Sequence, residues 1–482
     1  MDDRRPLLDR TAALAGDFLN RLPARPVGRP VDLARLRAGL GGALPERPSD
    51  PEGVIEALAR GAEQGLVGTA GPRYFGFVIG GSVPAALAAD WLASAWDQNA
   101  MLYALSPAAA VAEEVAAAWL VELFGLPTGS SVGFVTGATM ATFTALAAAR
   151  HRVLERADWD VEEDGYVGAP PIAVVLAEEA HVTVSVSLQM LGLGRGRVHR
   201  VASDGQGRMR PDALRETLAR IEGPTIVTAQ AGNVNTGAFD PLEEIVEIVR
   251  ELPNAWLHVD GAFGLWAAAA PSLRDRVAGL AGADSWSTDA HKWLNVPYDS
   301  GIVICRDAAA HDAAMTLHAA YYVIADGGQR DSMDYVPESS RRARGFAIYA
   351  AIRSLGRDGL AAMIERCCGI ARRMADGLRG APGVTILNDV VLNQVLVRFA
   401  PPSGAAPEAE ADDFTRRVIA AVQADGTCWL GGTTWHGMAA MRISVSNWST
   451  TEQDADVSVA AIRRCAAAVA ADWAPAASPA AV

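Results

Sequence analysis

Lysine is nearly absent from this chain: 42 of its 482 residues are Lys or Arg, and only Lys292 is a lysine. Arginine fills every other basic position, so a lone lysine points to a task that the permanently protonated guanidinium cannot perform, such as forming an imine. Cysteine is sparse too. Cys305, Cys367, Cys368, Cys428 and Cys465 make no C-x-x-C pair and no metal-ligand spacing, so neither a metal site nor a disulfide framework is expected, and a reducing compartment is. A basic excess is also missing: 56 acidic against 42 basic residues leave a net charge of −14, which argues against nucleic acid as a partner. Long apolar runs do not occur. The Ala-rich stretches 83–95 and 107–120 are interrupted by Asp90, Glu113 and Glu114, and Met1-Asp2-Asp3-Arg4-Arg5 opens no signal peptide. The expectation is a soluble cytoplasmic protein with no membrane partner.

The length allows more than one domain. Helical spacing of Leu and Ala over 7–20 and 31–40, split by the Pro-rich 23–30, reads as an N-terminal arm, and helices are expected over 51–65, 83–97 and 107–124. From residue 132 the pattern alternates. Short β-rich runs at 132–135, 172–177, 225–229, 255–260 and 301–305 are separated by helical stretches at 139–155, 182–190, 211–221 and 241–252. That alternation predicts an α/β domain around a mostly parallel sheet, with ligands bound beyond the carboxyl ends of its strands. Helices over 340–355 and 358–379 lead into a small α+β region with strands at 384–387, 393–399 and 440–446 and helices at 411–424 and 453–472. The division expected is 1–100 (helical arm), 101–365 (large α/β domain) and 366–482 (small domain).

Four positions carry chemistry. Gly133-Phe134-Val135-Thr136-Gly137-Ala138-Thr139-Met140 is a strand entering a small-residue turn and a helix, which can seat a phosphate on free N–H groups. His181 follows a strand and two glutamates; a lone histidine there is more often a satisfied surface or core residue than a catalytic one. Asp260 closes the apolar run Trp256-Leu257-His258-Val259, where a carboxylate is costly to bury without a partner, unless it is only a turn or helix cap. Lys292 lies 32 residues further on, between His291 and Trp293 (292 − 260 = 32), far enough for a crossover and a second strand. An amine to hold an aldehyde and a carboxylate for a ring nitrogen are the two groups that pyridoxal phosphate (PLP) requires.

The ordered set resembles the group II PLP-dependent decarboxylases of fold type I, which include aromatic L-amino acid and glutamate decarboxylases. It comprises Pro72-Arg73-Tyr74-Phe75-Gly76-Phe77, Ser106-Pro107-Ala108, the Thr136–Thr142 turn, Ala180-His181, Gly237-Ala238-Phe239-Asp240-Pro241, His258-Val259-Asp260-Gly261-Ala262 and Asp289-Ala290-His291-Lys292-Trp293. The resemblance implies a seven-stranded-type sheet and a homodimer with shared active sites. It implies that Lys292 forms the Schiff base, that Asp260 pairs with the pyridine nitrogen, and that His181 stacks on the ring and Ala262 packs on its other face. Gly137, Ala138 and Thr139 would hold the phosphate with His291 beside it, and Asn233 would lie close to the cofactor. Tyr74, Phe75 and Phe77 would line the substrate pocket, and Met101 to Tyr103 would come from the partner subunit. Tyr321-Tyr322 precedes a segment, 325–334, similar to the family's mobile catalytic loop, and Tyr322 would return the proton. Met140 and Gly71 depart from residues common in the family, Glu and His, and Asn233-Val234-Asn235 occupies a stretch that is often Thr-rich.

The reaction expected is decarboxylation of an L-amino acid, aromatic by the rings of Tyr74, Phe75, Phe77 and Tyr103, to the amine and carbon dioxide. Decarboxylation with oxidative deamination to an aldehyde ranks second, because relatives that do this replace the loop Tyr by Phe. Transamination or lyase chemistry on the same fold, and a catalytically inactive PLP-binding protein, complete the alternatives.

Overall fold

A computed structural model of the chain describes residues 4–28, 30–316, 319, 321–324, 328–402 and 407–473. The short apolar runs become strands β1 (Ser131–Val135), β2 (Ala173–Ala177), β3 (Val198–Val201), β4 (Thr225–Gln230), β5 (Ala255–Asp260), β6 (Ser285–Asp289) and β7 (Gly301–Cys305). They form one seven-stranded sheet in the order β1-β7-β6-β5-β4-β2-β3. β7 is antiparallel to β1 and β6, and every other neighbouring pair is parallel. Six strands therefore point the same way, and their carboxyl ends share one edge, where ligands of such sheets bind.

Two of these strands escape hydropathy. β6 reads Ser-Trp-Ser-Thr-Asp, yet all five residues are buried. Its hydroxyls are satisfied inside the sheet. Trp256 Nε1 donates to Ser285 Oγ at 2.8 Å, His258 Nδ1 lies 2.9 Å from the same oxygen, and Ser287 Oγ is 2.9 Å from Thr142 Oγ1. A polar sequence survives in the centre of a sheet when every polar atom finds a partner. β3 is short, with an uneven burial pattern, and sits at the sheet edge.

Helices cover both faces. The helix Ala138–Glu155 crosses the sheet, buried along most of its length. The helical run Gly345–Leu378 breaks at Gly356 (φ 61°, ψ −176°), where the sequence predicts two helices. A second, antiparallel sheet of β8 (Val384–Ile386), β9 (Gln394–Phe399), β10 (Gly431–Trp435) and β11 (Met438–Ser444) runs in the order β10-β11-β9-β8. β10, rich in Gly and Thr, has no counterpart among the expected strands. The three N-terminal helices Arg5–Arg21, Leu33–Leu40 and Pro51–Ala62 form where the Leu and Ala spacing predicts, but none of them contains a buried residue. Among the described residues no helix is long and apolar enough to cross a membrane.

Among the described residues one ion pair is fully interior. Arg341 donates to Glu113 through both terminal nitrogens, at 2.8 and 2.7 Å, and each side chain is 1% exposed. It ties the helix Pro107–Phe124 to the strip that bonds Asn99 and Ala100. Breaking one half of such a pair leaves an uncompensated buried charge. Glu113→Gln is expected to lower the unfolding free energy by about 3–5 kcal/mol, measured by denaturant melts. A loss below about 1 kcal/mol would show that the pair adds little beyond its packing.

Candidate active site

The carboxyl edge collects the polar groups in order. β1 ends at Val135, and Thr136-Gly137 turns into the helix Ala138–Glu155, which has no side-chain cap of its own residue Gly137. The N–H of Ala138 instead donates to Asp289 Oδ1 at the end of β6. The next N–H groups, of Thr139 and Met140, lie in a first turn that offers no carbonyl to them and point where an anion is favoured. Gly137 is close to the opposite wall: a Cβ there would lie 3.3 Å from His291 Cε1 and 3.4 Å from Asp289 Oδ1.

Asp260 closes β5 and is buried, with Oδ1 accepting the N–H of Ala262 at 3.1 Å. Burial holds its carboxyl above the usual range, opposed by the charges of His181 and Lys292. His181 caps the helix Val182–Met190. Its Nδ1 lies 2.7 Å from Thr183 Oγ1 and accepts the Thr183 N–H at 3.4 Å. Burial pulls its pKa below the ordinary value, against the carboxylate of Asp260, and Lys292 and Arg442 lower it further. Burial thus favours the uncharged imidazole, with Nδ1 turned to the Thr183 N–H.

Lys292 stands in the single π-helical turn Ala290–Leu294 that follows β6. Its Nζ is 2.9 Å from Asp289 Oδ2. His291 Nε2 is 3.4 Å from Asp289 Oδ1, its Nδ1 accepts the Ser300 N–H, and its ring lies 4.4 Å from that of Tyr298. Burial lowers the His291 pKa. The backbone here admits no side chain opposite: a Cβ on Gly80 would fall 1.9 Å from the Lys292 carbonyl oxygen. Asn295, wholly buried, donates to the carbonyls of Lys292, Trp293 and Ser446 and so fastens the lysine turn to the chain that follows β11.

The aromatic candidates separate. Tyr74 and Phe77 each stack on Trp429, at 5.0 and 5.7 Å between ring centres, while Phe75 is buried in the hydrophobic core. Gly76 makes this approach possible, since a Cβ there would lie 2.2 Å from the Trp429 ring. Burial raises the Tyr74 hydroxyl to about 12. Met101 and Leu102 lie elsewhere, in a small apolar cluster with Met333 and Tyr322. Asp331 binds that strip by accepting the Tyr103 N–H at 2.8 Å, and Met333 N–H donates to the Met101 carbonyl. Of the loop segment 325–334, residues 325–327 lie outside the described residues. Asn233 accepts the N–H groups of Asn235 and Thr236 through Oδ1 and donates to the Glu179 carbonyl, two residues before His181, through Nδ2. Asn235, two residues on, faces Thr433 and Arg442 instead.

Sequence reasoning assigns no role to Asp289 or Trp429 and leaves Arg442 without a place. Arg442, on β11, is largely buried, its pKa is lowered by that burial, and no ion pair is recorded for it among the described residues. Its charge acts on His181. Pairing Arg442 with the site needs the register of two sheets, and no spacing rule supplies that.

These residues fit PLP on three grounds. Asp260 is a buried carboxylate whose recorded partner is one backbone N–H, which suits a protonated ring nitrogen. The helix at Ala138 offers N–H groups and a positive dipole end to a phosphate. The lone lysine reaches the same edge. Among the described residues no group of side chains could hold a metal ion.

Comparison with known proteins agrees. Residues 34–400 match the model of the pyridoxal-dependent decarboxylase conserved domain. An aromatic-L-amino-acid decarboxylase of Bacillus atrophaeus is 25% identical over 460 residues, covering 94% of this chain and 93% of that protein. An L-2,4-diaminobutyrate decarboxylase of Rhizobium meliloti is 31% identical over 377 residues, covering 77% and 72%. The crystal structure of Oryza sativa TDC with PLP and tryptamine superposes with a TM-score of 0.89 at 24% identity, covering 97% of this chain and 98% of that one.

The sign of the Asp260 shift makes a prediction. A carboxyl whose folded pKa is raised opposes folding when ionised; the penalty fades as pH falls through the folded value and is absent below the unfolded one. Before PLP is added, Asp260→Asn should melt higher than the parent at pH 8, with the difference shrinking toward pH 4. The same variant loaded with PLP should turn over about a hundredfold more slowly or worse. A lower melting point at pH 8 would refute the buried-charge account of Asp260.

Proposed function

The chain belongs to the pyridoxal-dependent decarboxylase family and is a PLP-dependent amino-acid decarboxylase; from that premise we propose that it converts an aromatic L-amino acid to its amine, with Lys292 as the anchoring amine. When bound, PLP supplies the electron sink for cleavage of the bond to the carboxylate. Asp260 would keep a proton on the ring nitrogen, with His181 and Ala262 holding the ring between them, and the turn Gly137–Thr139 and His291 would take the phosphate. Arg442 is the buried cation beside His181 that a substrate carboxylate can reach. Tyr322 returns a proton to the substrate carbon once carbon dioxide has left.

The observation that carries the aromatic assignment is the wall of Tyr74, Trp429 and Phe77, joined through Gly76 to Gly80 with the lysine turn. Flat rings recognise a flat side chain through stacking and burial. Arg442 favours the competing reading, an acidic amino acid, if its guanidinium takes a side-chain carboxylate instead.

Two features support a homodimer with shared sites. Met101, Leu102 and Tyr322 cluster with one another, in a group separate from the core that holds Trp293. The N-terminal helices bury nothing, and Leu8, Leu33, Leu40 and Leu58 are each at least half exposed. We assign both surfaces to a second copy of the chain, the first completing its partner's site. The division into a helical arm (1–100), a PLP-binding domain (101–365) and a small domain (366–482) belongs to the same reading. So does a cytoplasmic location, supported by five buried free cysteines.

Mass spectrometry of the products from a panel of aromatic, acidic and diamino acids tests the assignment. Amine from Phe, Tyr, Trp or Dopa is expected, and amine from acidic or diamino acids alone would sink the aromatic reading. Tyr322→Phe is expected to slow amine formation by about 10²–10⁴-fold while leaving PLP absorbance intact. Unchanged turnover in that variant would remove Tyr322 as the proton donor.

A further inference from the structure

Asp289 ends β6 with its side chain only 4% exposed. One oxygen accepts the Ala138 N–H and lies 3.4 Å from His291 Nε2; the other is 2.9 Å from Lys292 Nζ. All three partners are groups that the proposed function gives to the cofactor: two to its phosphate and one to its aldehyde. Among the described residues no arginine is paired with Asp289 to offset it.

Two electrostatic consequences follow, in one direction. A phosphate docking on the first turn of the helix Ala138–Glu155 would meet a carboxylate already bonded to the first N–H of that turn, and like charges in a buried site repel unless compensated. The amine that must be free to form an imine is held in an ion pair. An asparagine here would keep a carbonyl oxygen for the Ala138 N–H and replace the charge with a donor.

We propose that Asp289 sets how readily the chain gives up and regains PLP, by competing with the cofactor phosphate for the Ala138 N–H and with its aldehyde for Lys292. The inference rests on the assignment of phosphate to Gly137–Thr139 and of the imine to Lys292. Asp289 acts as a positioning residue, and it makes cofactor occupancy responsive to the free PLP concentration.

Asp289→Asn in the full-length holoenzyme tests this, with Asp289→Ser as a second neutral replacement. The half-life of the imine absorbance during dialysis is expected to lengthen about tenfold or more, with a matching fall in the Kd for PLP. Pyridoxal, which lacks the phosphate, should gain less; an equal gain would overturn the phosphate part of the proposal. A half-life unchanged or shortened in both variants overturns the whole, leaving Asp289 as a support for the turn. Thr139→Val separates this from the underlying site: weakened PLP binding there, without tightening in Asp289→Asn, fells the Asp289 inference alone. If neither substitution alters PLP retention, the phosphate assignment falls with it.

Discussion

Burial of unlike charges at one edge of the large sheet is the constraint around which the molecule is arranged. Asp260, Asp289, Lys292, His181 and Arg442 act on one another there, in surroundings that exclude most water. Such charges are tolerable only when held at short range to partners. Burial, with the nearby charge of Asp289, pushes the Asp260 carboxyl upward, against the charges of His181 and Lys292. A fold that carries that cost in its centre is built to receive a cation, and a protonated ring nitrogen is one.

The supports for this arrangement come from three parts of the chain. From the N-terminal segment, Gly80 lies against the Lys292 carbonyl, where any side chain would collide. From the large sheet, β6 delivers Asp289 and then the π-helical turn that carries Lys292. From the C-terminal region, the Ser446 carbonyl accepts a bond from Asn295, which also holds the lysine turn, and Trp429 holds the rings of Tyr74 and Phe77. Close backbone approach, rather than long side chains, sets these distances. Small residues at Gly76, Gly80 and Gly137 are therefore as necessary to the site as the titratable groups.

Hydroxyl groups do a second kind of work in the interior. β6 lies between β7 and β5 with hardly an apolar residue, because Ser285, Ser287 and Thr142 exchange hydrogen bonds with Trp256, His258 and each other. Burial lowers the His258 pKa to about 3, so it stays neutral in this network. The strand that leads to Lys292 is thus positioned by hydrogen bonds whose loss would leave buried polar atoms unsatisfied.

Local pattern made much of this readable in the chain itself. Periodicity marked most of the helices, with the break at Gly356, and five of the seven strands of the large sheet, because those elements bury one regular face or a continuous apolar run. A lysine used once, and a carboxylate closing an apolar run, marked Lys292 and Asp260, since each is chemically out of place unless it serves a task. β6, β3 and β10 went unseen because their burial depends on partners from other strands and on edge position, which hydropathy does not encode. Asp289, Arg442 and Trp429 likewise acquire meaning only from their neighbours: the turn at Ala138, the imidazole of His181 and the rings of Tyr74 and Phe77. Residue type and spacing determined which groups this protein can offer to a cofactor. The tertiary structure alone decided which of them meet, because strand register and backbone contacts far apart in sequence bring their charges and rings within range.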